Sequence, residues 1–99
     1  RGALMVGVDT DWSVLYDADS EYVLGSALKR MDFWLLNTVG TLVDGTFAGN
    51  TFVGTLENEG VAIAVGVDFQ DKIDPAILAE IEQLKADIIA GTIVTTYAR

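Results

Sequence analysis

Two carboxylates separated by one residue, Asp9 and Asp11, follow a short apolar run and are well placed to do chemistry. The run itself, residues 3–8, contains two valines and predicts a buried β-strand. In an open α/β sheet, ligands bind beyond the carboxyl ends of the strands. An ionised carboxylate at that position can accept hydrogen bonds from two neighbouring hydroxyl groups, such as the vicinal diol of a sugar. The alternative for Asp9 is an aspartate that only caps its own loop.

The Asp9-x-Asp11 spacing is also typical of phosphatases of the haloacid dehalogenase type. In that mechanism the first aspartate attacks phosphorus, the second acts as acid and base, and Mg²⁺ neutralises the charge. The chemistry needs further carboxylates and a lysine from later motifs, and the sequence around Asp68 and Asp71 does not fit these motifs. An α/β phosphatase-like enzyme using Asp9 and Asp11 with Mg²⁺ is therefore an alternative, ranked below a binding function.

The acidic segment that follows Asp9 does not match a calcium-binding loop. Counted from Asp9 or from Asp17, the sixth position is not Gly and the twelfth is not Glu, which excludes an EF-hand. The chain also has no His and no Cys, so the commonest metal ligands and general bases are missing. We therefore expect a non-catalytic protein with no metal and no cofactor.

Charge and hydrophobic content limit the classes of partner that the chain can bind. The net charge is −9, which disfavours nucleic acid and anionic membrane surfaces as partners, because both require Lys and Arg. The 99 residues suffice for one domain, yet 51% are hydrophobic and the mean hydropathy is +0.36. Such an apolar surplus predicts either an oligomer interface or a missing lobe. We expect residues 1–99 to be a single domain or a fragment, and the start at Arg1 directly before a strand favours a fragment or processed product.

The elements that would position the two carboxylates alternate between strands and helices. Periodicity predicts strands at 3–8, 22–26, 51–56 and 61–67, a polar loop at 10–21, and a strand or extended tail at 92–97. Helices are predicted over 28–43, ending at Gly45, and from Asp74-Pro75 to Gly91, with the aspartate as N-cap. Segments 51–56 and 61–67 are candidates for a hairpin. The pattern predicts an α/β fold with mostly parallel strands and flanking helices.

The predicted helix over 28–43 is apolar on more than one side. One set of apolar residues recurs at steps of three and four residues, which places it on one face of a helix: Leu28, Met31, Leu35, Val39 and Leu42. Three more apolar residues widen this face: Phe33, Trp34 and Leu36. A chain this short cannot cover so many sides of one helix. We therefore expect a homo-oligomer with this helix at or near the contact.

Five segments in order resemble the C-terminal part of the basic membrane lipoprotein family, and together they span nearly the whole chain. They are VGVDTD at 6–11, VLGSALKRMD at 23–32, DGTFAG at 44–49, GTLENEGV at 54–61 and IIAGTIV at 88–94. Members of that family are substrate-binding proteins of ABC importers and include purine nucleoside receptors. The resemblance implies part of a two-lobed, type I periplasmic-binding fold, a nucleoside ligand, an ABC permease as partner, and a lipid-anchored, extracytoplasmic parent protein.

The resemblance also implies which residues contact the ligand. In the family, an aspartate after the first strand and a lysine after the Ser-Ala-Leu segment contact the ribose, and these match Asp9 and Lys29. Asp11 is the neighbouring candidate if the register slips. The sequence departs from the family at Trp12, where Gln is common, and Trp12 could instead stack on a base. If Lys29 does not contact a ligand, it would be a solvated lysine in the first turn of a helix. A separate alternative for the whole chain is a self-associating lobe that binds no ligand on its own.

Overall fold

The computed structural model describes residues 2–49 and 51–95. These form three strands, three α-helices and one 3₁₀ helix. In chain order they are β1 (Met5–Asp9), α1 (Trp12–Leu15), the 3₁₀ helix (Asp17–Tyr22), β2 (Val23–Lys29), α2 (Met31–Val43), β3 (Val61–Val65) and α3 (Pro75–Ile89). The predicted mixture of strands and helices is confirmed: the described residues form a mixed α/β structure.

The three strands form one sheet in the order β1-β2-β3, with β2 in the centre. β1 and β2 are parallel, and β2 and β3 are antiparallel, so the sheet is mixed instead of mostly parallel as expected. The antiparallel pair arises where the chain returns after α2. Gly60 accepts a 2.9 Å hydrogen bond from the backbone N–H of Arg30, which places the start of β3 beside the end of β2. β3 then runs back along β2.

The predicted strand over 51–56 is wrong, because this segment is irregular and β3 pairs with β2 instead. The Asn58 side chain explains the difference. Its Oδ1 accepts hydrogen bonds from the backbone N–H groups of Thr55 at 2.8 Å and Gly60 at 3.0 Å, and its Nδ2 donates to the Val53 carbonyl at 2.8 Å. These bonds fold the segment into a local loop. The Asn58 side chain bonds backbone N–H and C=O groups that would otherwise be available to pair with the neighbouring strand of a hairpin.

The boundary between β2 and α2 also differs from the prediction. Leu28 and Lys29 belong to the strand, where they pair with Ala62 and Val61 of β3, and α2 begins at Met31. Lys29 is therefore the last residue of a strand and not a lysine in the first turn of a helix. This correction matters for the site, because it aligns Lys29 with the end of the neighbouring β1.

The predicted C-terminal ends of both long helices and the predicted start of α3 are confirmed. The Asp74 carboxylate accepts a 2.9 Å hydrogen bond from the Ala76 N–H, and Pro75 occupies the first helical position. Gly45 and Gly91 follow the two helices with φ values of 70° and 76°, the left-handed conformation that favours glycine. After α3, residues 92–95 form bends and irregular backbone instead of a strand; positions 96 and 97 of that predicted segment lie outside the described residues.

The interior of the described part is small. Val23 is its one buried hydrophobic residue, and Ser13 and Ser26 are its buried polar residues. Neither α2 nor α3 contains a buried residue. The radius of gyration is 16.4 Å, compared with about 13 Å for a typical folded chain of 100 residues. Both long helices therefore lie loosely around the sheet, and much apolar surface is open. Across 2–49 and 51–95, no helix has the length and apolarity needed to cross a membrane.

Candidate functional site

The structure brings together the two residues that the resemblance selected. Lys29 Nζ lies 3.2 Å from Asp9 Oδ1, and the two form an ion pair. Asp9 ends β1 and Lys29 ends β2, so the pair lies at the carboxyl ends of two adjacent parallel strands. That is the edge of an α/β sheet at which ligands bind.

An unusual backbone conformation at Asp9 makes this contact possible. Asp9 lies level with Leu28 in the β1–β2 register, so in a regular strand its side chain would point away from the face that carries Lys29. Its φ is 71°, one of two positive values at non-glycine residues in the described chain. The left-handed turn redirects the carboxylate at the end of the strand. Such conformations are costly and concentrate at ligand-binding sites.

Two cavities adjoin the ion pair. One is a polar crevice of about 320 Å³ whose lining includes Thr10, Asp11 and Arg30. The other is a mainly apolar groove of about 680 Å³ whose lining includes Ala27, Leu28 and Ile63, and Asp9 and Lys29 line both. The side chains of Lys29 and Asp9 are 64% and 55% exposed, so a ligand can reach both. Because solvent screens the pair, it contributes little to stability.

The Asp11 carboxylate bonds to the helix that directly follows it. Its Oδ1 accepts hydrogen bonds from the Ser13 backbone N–H at 3.0 Å and from Ser13 Oγ at 2.7 Å, which caps the N-terminus of α1. Ser13 Oγ in turn accepts a 3.2 Å bond from the Val67 N–H, so this cap also joins α1 to the segment after β3. Asp11 thus has a structural role, which disfavours the acid/base function that a phosphatase would require of it.

Trp12 also has a structural role. Its backbone N–H donates to the buried Ser26 Oγ at 3.0 Å, and its indole N–H donates to the Val8 carbonyl at 3.0 Å. The ring covers Gly7, where an added Cβ would lie 2.5 Å from Trp12 Cγ. Gly7 therefore allows the loop after β1 to fold back onto the sheet, and Trp12 holds it there instead of facing a ligand. Sequence reasoning missed Ser26, because a lone serine in a strand gives no signal of burial.

Sequence reasoning also missed a second ion pair beside the crevice. Arg30 Nη2 lies 3.0 Å from Asp32 Oδ2, and Arg30 Nε donates to Asp32 Oδ1 at 3.1 Å. The hydrogen bond from Arg30 lowers the pKa of the Asp32 carboxyl, and the same bond raises the pKa of Arg30. The sequence signal for this pair was the presence of opposite charges at positions 30 and 32, directly after Lys29. With this pair, the crevice is lined by two cations and by the carboxylates of Asp9, Asp11 and Asp32.

Within the described ranges, no group of three or more carboxylates is arranged to hold a metal ion. Comparison with known proteins adds no identification: no protein-family model matches the chain, and no curated protein matches it. The geometry itself defines what the site can do. It offers an acceptor and a donor in contact, open to solvent, between a polar crevice and an apolar groove.

Proposed function

We propose that this chain is part of a substrate-binding component of an ABC importer and that it captures a small polar ligand, preferably a purine nucleoside. The observation that carries the proposal is the Asp9–Lys29 ion pair at the ends of two adjacent parallel strands. The function is capture without catalysis. Asp9 and Lys29 are the binding residues, and Asp11 supports the loop next to them.

The chemistry of the pair suits a ribose. The free lone pairs of the Asp9 carboxylate can accept hydrogen bonds from two vicinal hydroxyls, while Lys29 donates to a sugar oxygen and keeps the local charge balanced. The two cavities suit the rest of a nucleoside. The sugar would occupy the polar crevice, and the flat base would lie against the apolar groove beside Ala27 and Leu28. A simple sugar would leave that groove unfilled.

The wider architecture is part of the same proposal. A parallel strand pair with its ligand residues at the carboxyl ends, followed by a helix, is compatible with one part of a type I periplasmic-binding fold. In that setting a second lobe would close over the pair and exclude water. The resemblance further suggests an extracytoplasmic location, a lipid anchor on the parent protein, and an ABC permease that receives the ligand.

Isothermal titration of the protein as its gene encodes it, with adenosine and guanosine, tests the proposal. Asp9→Asn should weaken binding by roughly 10- to 100-fold, because hydrogen bonds to charged groups contribute about 1.5–3 kcal/mol. A 2′-deoxynucleoside should lose a similar factor with the unchanged protein, since it lacks one hydroxyl of the diol.

The matched control is Asp68→Asn, which neutralises an exposed aspartate that does not line the crevice or the groove. It should leave affinity unchanged. Unchanged affinity in Asp9→Asn, or equal affinity for ribo- and deoxynucleosides, would contradict diol recognition by this residue.

A further inference from the structure

One side of α2 is open along its whole length. The open residues recur at helical spacing within an arc of about 140°, and we call them the α2 stripe: Met31, Leu35, Leu36, Val39, Leu42 and Val43, all exposed. Val43 is 80% exposed and Leu36 73%. The other side of the helix is partly covered, because Trp34 packs against Phe52 with ring centroids 6.3 Å apart. The stripe is therefore an apolar surface that nothing in the described chain covers.

The exposed surface of the whole chain is large for its mass. The accessible area is 7774 Å², whereas a folded monomer of this mass exposes about 5,500 Å² by the usual scaling with mass. The difference is roughly 2,300 Å². A standard interface buries about 800 Å² on each partner, and obligate homodimers bury more. The chain thus exposes enough additional surface for a stable dimer, and the α2 stripe is the longest run of exposed apolar residues on one side of a single helix in the described chain.

We propose that the α2 stripe is a dimer interface between two copies of this chain, with the two α2 helices packed antiparallel. Charge argues for this surface, since Asp32 is the one charged residue in α2 while the chain as a whole carries −9. Two copies meeting at α2 therefore bring little negative charge together. Asp32 lies within the arc of the stripe and is already paired with Arg30, so its charge does not determine the orientation. Antiparallel packing is favoured because it sets the two helix macrodipoles in opposite directions.

Association tests this proposal independently of the proposed ligand, because it needs no nucleoside. Sedimentation equilibrium of the 99-residue chain at physiological salt should give a dimer. The double variant Leu35→Glu/Leu42→Glu should raise the dissociation constant by more than about tenfold, because two buried carboxylates on each copy lose their water. Circular dichroism would show whether α2 itself remains helical in this variant.

Two control variants each place one carboxylate on another exposed apolar surface: Val8→Glu on β1, 56% exposed, and Ile77→Glu on α3, 51% exposed. Leu35→Glu alone is the variant that they match in charge. Both control variants should remain dimers. A monomer at high concentration overturns the proposal, and so does a dimer that Val8→Glu or Ile77→Glu dissociates while the α2 variant does not.

The orientation can be tested separately, because the chain has no cysteine and introduced thiols pair only with each other. Met31→Cys and Val43→Cys lie at the two ends of the stripe. Upon oxidation, a mixture of the two chains should form the mixed disulfide, and each chain alone should not. Disulfides within either single variant would require parallel helices and contradict the antiparallel arrangement.

Discussion

At the scale of single residues, Asp9 combines a strained backbone conformation with an exposed ion pair. A left-handed backbone costs an L-residue roughly 1–2 kcal/mol, although Asp tolerates it better than most residues. In return the carboxylate reaches Lys29 at 3.2 Å across the ends of two strands. An exposed ion pair of this kind contributes about 0–1 kcal/mol to stability. The contact therefore does not offset the backbone cost.

This balance predicts different stabilities for two substitutions at Asp9. Asp9→Ala should destabilise the chain because alanine keeps the strained φ and loses the contact. Asp9→Gly relieves the strain and should be more stable than Asp9→Ala by about 1 kcal/mol. Urea unfolding measures the difference. Equal stabilities would show that the left-handed conformation is not maintained in solution. Both variants should lose ligand binding, which separates stability from function.

The Arg30–Asp32 pair gives a prediction about pH. The pKa of Asp32 is lowered from its ordinary value of 3.8, chiefly by the hydrogen bond from Arg30. A lowered carboxyl pKa favours the folded state at pH values above 3.8, and this contribution disappears as the pH falls through the lowered pKa. Carboxyl carbon NMR should show Asp32 titrating below 3.8. Arg30→Gln should move the titration upward, and an unchanged titration would mean that Arg30 does not bond Asp32 in solution.

At the scale of elements, the helix ends that depend on a few neighbouring residues were predicted correctly from the sequence. The cap at Asp74-Pro75 and the glycines at 45 and 91 are local signals, and all three mark real helix ends. The boundary at 28–30 was misplaced because Leu28 fits the helical steps of α2 equally well. Its pairing with Asp9 on β1 and Ala62 on β3 decides its state, and such pairing is not visible in a single sequence.

The loop around Asn58 replaces the hairpin that alternation predicted, so it offers a test at the same scale. Asn58→Ala removes side-chain bonds to Thr55, Gly60 and Val53. We expect a loss of about 1–2 kcal/mol in the free energy of unfolding, since two of the three bonds are solvent-exposed and contribute less than buried ones. Asn37→Ala on the exposed part of α2 is the control and should be neutral or slightly stabilising. A neutral Asn58→Ala would indicate that the loop does not position β3.

At the scale of the whole molecule, the candidate site was more predictable than the packing. Asp9 and Lys29 were selected from the sequence through the resemblance, and they lie together because parallel strands end at the same edge. The strained φ of Asp9 and the burial of Ser13 and Ser26 were not predictable, because they depend on how the loop after β1 folds back onto the sheet. The excess of apolar residues and the broad apolar surface of α2 were visible from the sequence, whereas the exposure of one whole side of α2 required the structure.

Hydrogen exchange measures this uneven distribution of packing. β2 lies between two strands and contains the buried Val23 and Ser26, so its amides should exchange most slowly and report global unfolding. α2 and α3 contain no buried residue and should exchange through local opening.

If two copies meet at the α2 stripe, protection of the α2 amides from exchange should rise with protein concentration, because dimerisation stabilises only the folded helix. Protection of α3 should stay constant and serves as the internal control. Equal concentration dependence in both helices would place the contact elsewhere, and none in either would show that the chain remains monomeric over the range measured.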